Sequence, residues 1–174
     1  MACPRSTQAF PKSCTVSKTQ QILFEQTGEN MKKNSEETIT KGQCLCGRVQ
    51  FEIHGELRGV VNCHCSKCRK FHGNYGAYTS TKYENLKISK KETLKWYKST
   101  KDETPNVNRG FCAECGSLLF WHPTDQPNIA VAAGSLIEPT KIQTIGHIWC
   151  SQKGDFYQID DDLPRFSERW EDKK

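Results

Sequence analysis

The segment Cys44-Leu45-Cys46-Gly47-Arg48-Val49-Gln50-Phe51-Glu52-Ile53-His54-Gly55 carries two signals in sequence. Val49, Phe51 and Ile53 alternate with Gln50, Glu52 and His54, the period of a half-buried strand, and Gly55 ends it. Ahead of the strand, two cysteines one residue apart are followed by glycine. Glycine reaches φ > 0 without steric penalty, so backbone N–H groups can turn toward a metal-bound sulfur. A second Cys-Gly turn, Cys112-Ala113-Glu114-Cys115-Gly116, repeats that knuckle far along the chain. Together Cys44, Cys46, Cys112 and Cys115 supply the four ligands of a closed, structural zinc site, which would tie distant parts of the chain together.

The third cluster, Cys63-His64-Cys65-Ser66-Lys67-Cys68, has no such glycine. In extended chain Cys63 and Cys65 point to one side, and Cys65 to Cys68 is an i, i+3 step that one helical turn places on one face. A strand end running into a short helix would present all three thiolates to one ion. Zinc used for chemistry keeps three protein ligands and an open position. Seven clustered cysteines out of ten therefore divide as four plus three. Two closed sites would need an eighth ligand, for which His64 and His72 are the candidates. Disulfides would need an oxidising compartment, and the N-terminal sequence shows no apolar run of the secretory type. Cys3 and Cys14 fall in a polar tail and read as spare thiols, and Cys150 as a buried inert one.

Short extended runs continue outward: Tyr75 to Thr79, Leu86 to Ile88, Leu94 to Tyr97, Ser117 to Trp121, Ile129 to Ala133 and Phe156 to Ile159. The spacing predicts a mainly β domain over 41–168, with helix confined to Cys65 to Phe71 and a turn after Gly134-Ser135-Leu136. Trp96, Tyr97, Phe120 and Trp121 are expected in the core. Residues 1–40 read as a polar, disordered extension and 169–174 as a polar tail. Arg5, Lys12 and Lys18 precede the first acidic residue, Glu25, a loose likeness to a transit peptide without an amphipathic helix; a plain flexible tail is the expectation.

The net charge of +5 arises from 25 basic and 20 acidic residues without a long like-charged run, so it suits an anionic small molecule as well as nucleic acid. No basic stripe interleaves with aromatics, which argues against a nucleic-acid partner. No apolar stretch is long enough to span a membrane. The expected location is the cytoplasm, with nucleus and organelles open, and the oligomeric state is not legible.

Taken in order, Gly42-x-Cys44-x-Cys46-Gly47-x-Val49-x-Phe51-Glu52, Cys63-His64-Cys65-Ser66-x-Cys68-Arg69-Lys70, Phe111-Cys112-x-x-Cys115-Gly116-Ser117-x-Leu119-Phe120, Gly134-Ser135-Leu136, His147-Ile148 and Leu163-Pro164-x-Phe166 resemble the glutathione-dependent formaldehyde-activating enzyme family, which includes the centromere protein V type. The resemblance covers 42–166. It implies a small, mostly antiparallel Mss4-like β fold with two zincs, the structural one on Cys44, Cys46, Cys112 and Cys115 and the catalytic one on Cys63, Cys65 and Cys68. The implied activity is condensation of formaldehyde with glutathione, a carbon–sulfur lyase type of reaction.

Glutathione's sulfur would then occupy the open position, and its carboxylates would need cations. Lys67, Arg69 and Lys70 adjoin the metal loop, and Arg109 is expected near the other zinc; solvated surface charge is the alternative for each. His64, set between two ligands, is expected to turn away and pair with backbone, and His147 to be a hydrogen-bonded core histidine. No carboxylate stands out as a general base, and a zinc-bound thiolate adding to formaldehyde asks little of one. Competing functions are a non-catalytic zinc scaffold for chromatin or cytoskeleton, and a zinc sensor or store.

Overall fold

The computed structural model describes residues 38–100 and 104–170. The extension expected over 1–40 lies outside the described residues apart from its last three, as do Cys3, Cys14 and the final four residues of the C-terminal tail. The elements are β1 (Ile39–Gln43), β2 (Gln50–His54), β3 (Val60–Cys63), α1 (Ser66–His72), β4 (Gly76–Lys82), β5 (Leu86–Lys90), β6 (Leu94–Ser99), β7 (Val107–Cys112), β8 (Leu118–Pro123), β9 (Asn128–Ala132) and β10 (Thr144–Ile148). They form a three-stranded sheet, β1-β2-β5, and a seven-stranded sheet, β10-β3-β4-β9-β8-β7-β6. The pairings are antiparallel except β10 with β3, which is parallel. This is the mainly β, antiparallel-rich architecture expected. No helix among the described residues is long and apolar enough to cross a membrane.

Period two assigns each residue of the large sheet to one of two faces. The register row Phe120↔Val131↔Thr79 looks inward. There Phe120 meets Phe51 of β2 edge-on, ring centroids 5.1 Å apart, and both are almost fully buried with Val49, Ile53, Leu119 and Ile129. The Phe51 ring lies over the β1 backbone at its register partner Gly42, where a Cβ would stand 2.2 Å from the ring. The next row, Tyr97↔Arg109↔Trp121↔Ala130↔Ser80, looks to the opposite face.

Several expectations are corrected. Phe156 to Ile159 is irregular chain rather than strand, and Phe156 is exposed. Strands β1, β7 and β10 are additional; a charged residue or glycine interrupts the apolar alternation in each, at Lys41, Arg109 and Gly146. Trp96 and Tyr97 are 38% and 46% exposed because β6 is an edge strand with β7 as its one neighbour, and Trp121 is half-buried; of the four aromatics, Phe120 alone is fully in the core.

Removing the aromatic contact between the sheets opens a cavity the surrounding strands cannot fill. Phe51→Ala should lower unfolding free energy by about 3–5 kcal/mol, read as a fall in the urea midpoint; a loss below about 1 kcal/mol would show that this ring does not anchor the core.

Candidate functional site

The two Cys-Gly turns meet between the β1–β2 and β7–β8 connections. The sulfurs of Cys44, Cys46, Cys112 and Cys115 lie within 4.8 Å of one another, with Cys44 to Cys46 at 3.5 Å and Cys46 to Cys112 at 3.8 Å. Four thiolates at zinc–sulfur bond length stand about 3.8 Å apart at the corners of a tetrahedron, so the donor set fits that ion. Gly47 and Gly116 have φ of 71° and 73°, the left-handed geometry their position after cysteine suggested. Outer-shell donors surround the sulfurs: the Val49 N–H donates to Cys44 Sγ at 3.2 Å, and the hydroxyls of Thr93 and Ser117 lie 3.2 Å from Cys112 and Cys115. The Ser117 hydroxyl, followed by the Ser117 N–H, holds the Cys115 thiol down to about 5. Ser117 Oγ also accepts from the Leu45 N–H at 3.0 Å, joining the knuckles directly.

The second cluster forms where β3 runs into α1, as the alternation of Cys63 and Cys65 and the step to Cys68 required. Cys65 is the helix N-cap, its sulfur accepting from the Cys68 N–H at 3.4 Å. Gln152 Oε1 accepts the Ser66 N–H at 3.1 Å, and Gly73 ends the helix at φ 76°. Hydrogen bonds from the Cys63 and Cys68 thiols lower the Cys65 pKa strongly, while the bond to Cys65 pushes Cys63 far up. Three crowded sulfurs cannot all ionise by themselves, and a bound cation removes that penalty. Among the described residues the cluster has three potential ligands. Neither histidine supplies a fourth: His72 Nε2 is hydrogen-bonded to Tyr78 Oη at 2.8 Å, and both His64 nitrogens are engaged elsewhere.

Cys63, Cys65 and Cys68 line a cavity of about 350 Å³ floored by the outer face of the large sheet. Its walls include Tyr78, Trp121, Trp149 and Trp170, and its cations are Arg58, Arg109 and Arg169; no carboxylate is among the described lining residues. Lys67, Arg69 and Lys70 do not line it. Arg109 is not beside the closed cluster: three residues from Cys112 on β7, it points to the opposite face, 3% exposed, with its guanidinium 4.7 Å from the Phe71 ring centroid. Burial lowers the Arg58 pKa, and its Nη2 donates to the Tyr78 carbonyl at 3.1 Å. Single-strand patterning could not have marked Arg58, Tyr78, Trp149, Arg169 or Trp170, because they converge from separate strands and loops.

Behind the open cluster runs a chain of polar side chains. Asp161 meets His147 Nε2 at 3.0 Å, His147 Nδ1 meets His64 Nε2 at 2.9 Å, and His64 Nδ1 meets Tyr157 Oη at 2.5 Å. An ionised carboxylate only accepts, so His147 donates to Asp161 and accepts from His64, which in turn accepts from the Tyr157 hydroxyl. Burial holds the His64 pKa down to about 4, consistent with the neutral tautomer this order requires. His64 thus pairs with side chains, not backbone, while His147 is the buried, hydrogen-bonded histidine expected. Asp161, fourteen residues from His147, had no local sequence signal.

Fold and site define a β protein with two cysteine centres, one four-sulfur and one three-sulfur, the latter opening into a cationic cavity. The family model described as glutathione-dependent formaldehyde-activating enzyme matches residues 39–152, and the chain belongs to that family. No curated protein matches it. Among solved structures, a Rhodobacter sphaeroides protein is similar at 25% identity with a TM-score of 0.47, over 62% of this chain and 98% of that one.

Truncating His147 leaves the buried Nε2–H of His64 without its acceptor. His147→Ala should cost about 1–3 kcal/mol in urea unfolding. Asp161→Asn, whose amide oxygen still accepts, should cost less than half of that; equal losses would contradict the donor order from Tyr157 through the two histidines to Asp161.

Proposed function

We propose that the chain is a zinc-dependent enzyme of the carbon–sulfur lyase type that binds glutathione, or a similar thiol, and condenses it with formaldehyde or another small aldehyde. The observation that carries this reading is the three-sulfur cluster opening into a cavity with three arginines and no carboxylate among its described lining residues. Zinc on Cys63, Cys65 and Cys68 would supply an open coordination position at which an incoming thiol is held as thiolate at neutral pH. Zinc on Cys44, Cys46, Cys112 and Cys115 would be structural.

The protein's own groups do the rest. Arg58 and Arg109, which line the cavity, rather than Lys67, Arg69 and Lys70, which do not, would receive the carboxylates of the thiol, and the burial of Arg109 would strengthen its ion pair. Trp121 and Trp149 thin the water around the reacting sulfur. In the overall change, a sulfur lone pair forms the S–C bond, the carbonyl π pair becomes an oxygen lone pair, and the thiol proton ends on that oxygen. Clustered free thiols suit a reducing compartment, so the cytoplasm is the proposed location.

Metal analysis should give two zincs per chain, falling to one in Cys65→Ser with cooperative unfolding retained, whereas Cys46→Ser should lose the fold. With ¹³C-formaldehyde, NMR should show wild-type protein accelerating formation of the S–CH2–OH carbon above the spontaneous rate, and Cys65→Ser leaving that rate unchanged. Equal rates with wild type and Cys65→Ser would refute the enzyme reading and leave a zinc-braced scaffold.

A further inference from the structure

The family match ends at residue 152, yet the chain beyond it returns to the cavity. Residues 163–170 lie along β10 and the turn after it. His147 N–H donates to the Pro164 carbonyl at 2.8 Å and Phe166 N–H to the His147 carbonyl at 2.9 Å; Trp149 N–H donates to the Glu168 carbonyl at 2.6 Å and Cys150 N–H to that of Phe166 at 3.0 Å. Gly146 makes room for this strap, since a Cβ there would stand 2.8 Å from both the Pro164 carbonyl oxygen and the Trp170 ring. Asp161, just ahead of the strap, is tied through His147 to His64, between two of the cluster's cysteines.

The strap also shapes the cavity. Trp149 lines it with φ at 58°, a conformation that strains a bulky residue and persists only where the surroundings enforce it. The two strap bonds at Trp149 and Cys150 provide that enforcement. Arg169 and Trp170, at the strap's end, are themselves walls of the cavity that the three cysteines line. Arg169 is exposed, whereas Arg109 is buried, so the strap adds a cation on the solvent side of the site. A small neutral thiol has nothing to offer such a group. A thiol whose body extends from the sulfur and ends in a carboxylate does.

Resting on the function proposed above, we infer that Arg169 is a specificity-determining residue, set in place by the strap, that selects thiols bearing a remote carboxylate over small neutral thiols. The contact is a partly solvated, charge-assisted one that screens with salt.

The test uses the full-length chain loaded with Co²⁺, titrated with glutathione and separately with 2-mercaptoethanol, following the cobalt–thiolate absorption. Arg169→Ala should weaken glutathione by about 3–10-fold, the range between an exposed ion pair and a charge-assisted hydrogen bond, and leave 2-mercaptoethanol unchanged. Arg169→Lys should recover most of that loss, Arg169→Glu should deepen it, and the salt dependence of glutathione binding should be shallower in Arg169→Ala than in wild type. If Arg169→Ala affects both thiols alike or neither, the selector role is overturned while the thiol-binding reading stands. If the wild-type spectrum responds to neither thiol, both fall together.

Discussion

Sulfur crowding is the constraint on which this molecule rests. Four sulfurs within 4.8 Å of one another at the two knuckles, and three more at the start of α1, are favourable only with a cation among them. At the closed cluster, that requirement clamps the β1–β2 turn of the small sheet to the β7–β8 turn of the large one. Cys44 and Cys112 belong to the same buried cluster as Val49, Phe51, Leu119 and Phe120, so the four-cysteine centre and the apolar core form one structural unit. Closing a loop between distant knuckles removes conformational freedom from the unfolded chain, and the core beneath then has less ordering to offset.

The large sheet turns this clamp into a site because its two faces have different tasks. Inward rows hold Phe120, Val131 and Thr79 against β2, and outward rows hold Arg109, Trp121 and Ser80 beneath the cavity. Three thiolates on one divalent zinc would leave a net charge of −1, and a carboxylate-bearing thiol adds more. Arginine keeps its charge even when buried, so Arg109 can compensate where lysine would be at risk of neutralisation, and the exposed Arg58 adds a second cation to the cavity wall.

Much of this was legible where function is local in sequence. The glycines after Cys46 and Cys115 need positive φ, the alternation at Val49, Phe51 and Ile53 needs one buried face, and the Cys63-Cys65-Cys68 spacing needs a strand-to-helix junction; each is a short-range rule, and each held. The position of Arg109 is not legible locally because no apolar alternation marks β7, and without the strand its parity against Cys112 cannot be read. Lys67, Arg69 and Lys70 adjoin the cysteines in sequence, but the cavity draws its cations from residues far apart in sequence. The edge position of β6, which exposes Trp96 and Tyr97, is a property of sheet order that no local pattern encodes.

The polar chain behind the cluster bears on why the open centre can be well ordered on so short a helix. Seven residues of α1 cannot hold three sulfurs by helical propensity, since isolated helices of that length are marginal in water. Instead β3 supplies Cys63, the Gln152 side chain satisfies the Ser66 N–H, and the Asp161–His147–His64 series anchors the residue between the first two cysteines. Each buried nitrogen in that series has a partner of the required polarity, so no alternative tautomer satisfies them all, and the His64 ring is held in one orientation. The centre is therefore positioned by chain segments from three regions of sequence. Supporting contacts of this kind reduce the reorganisation a ligand would otherwise have to impose on binding.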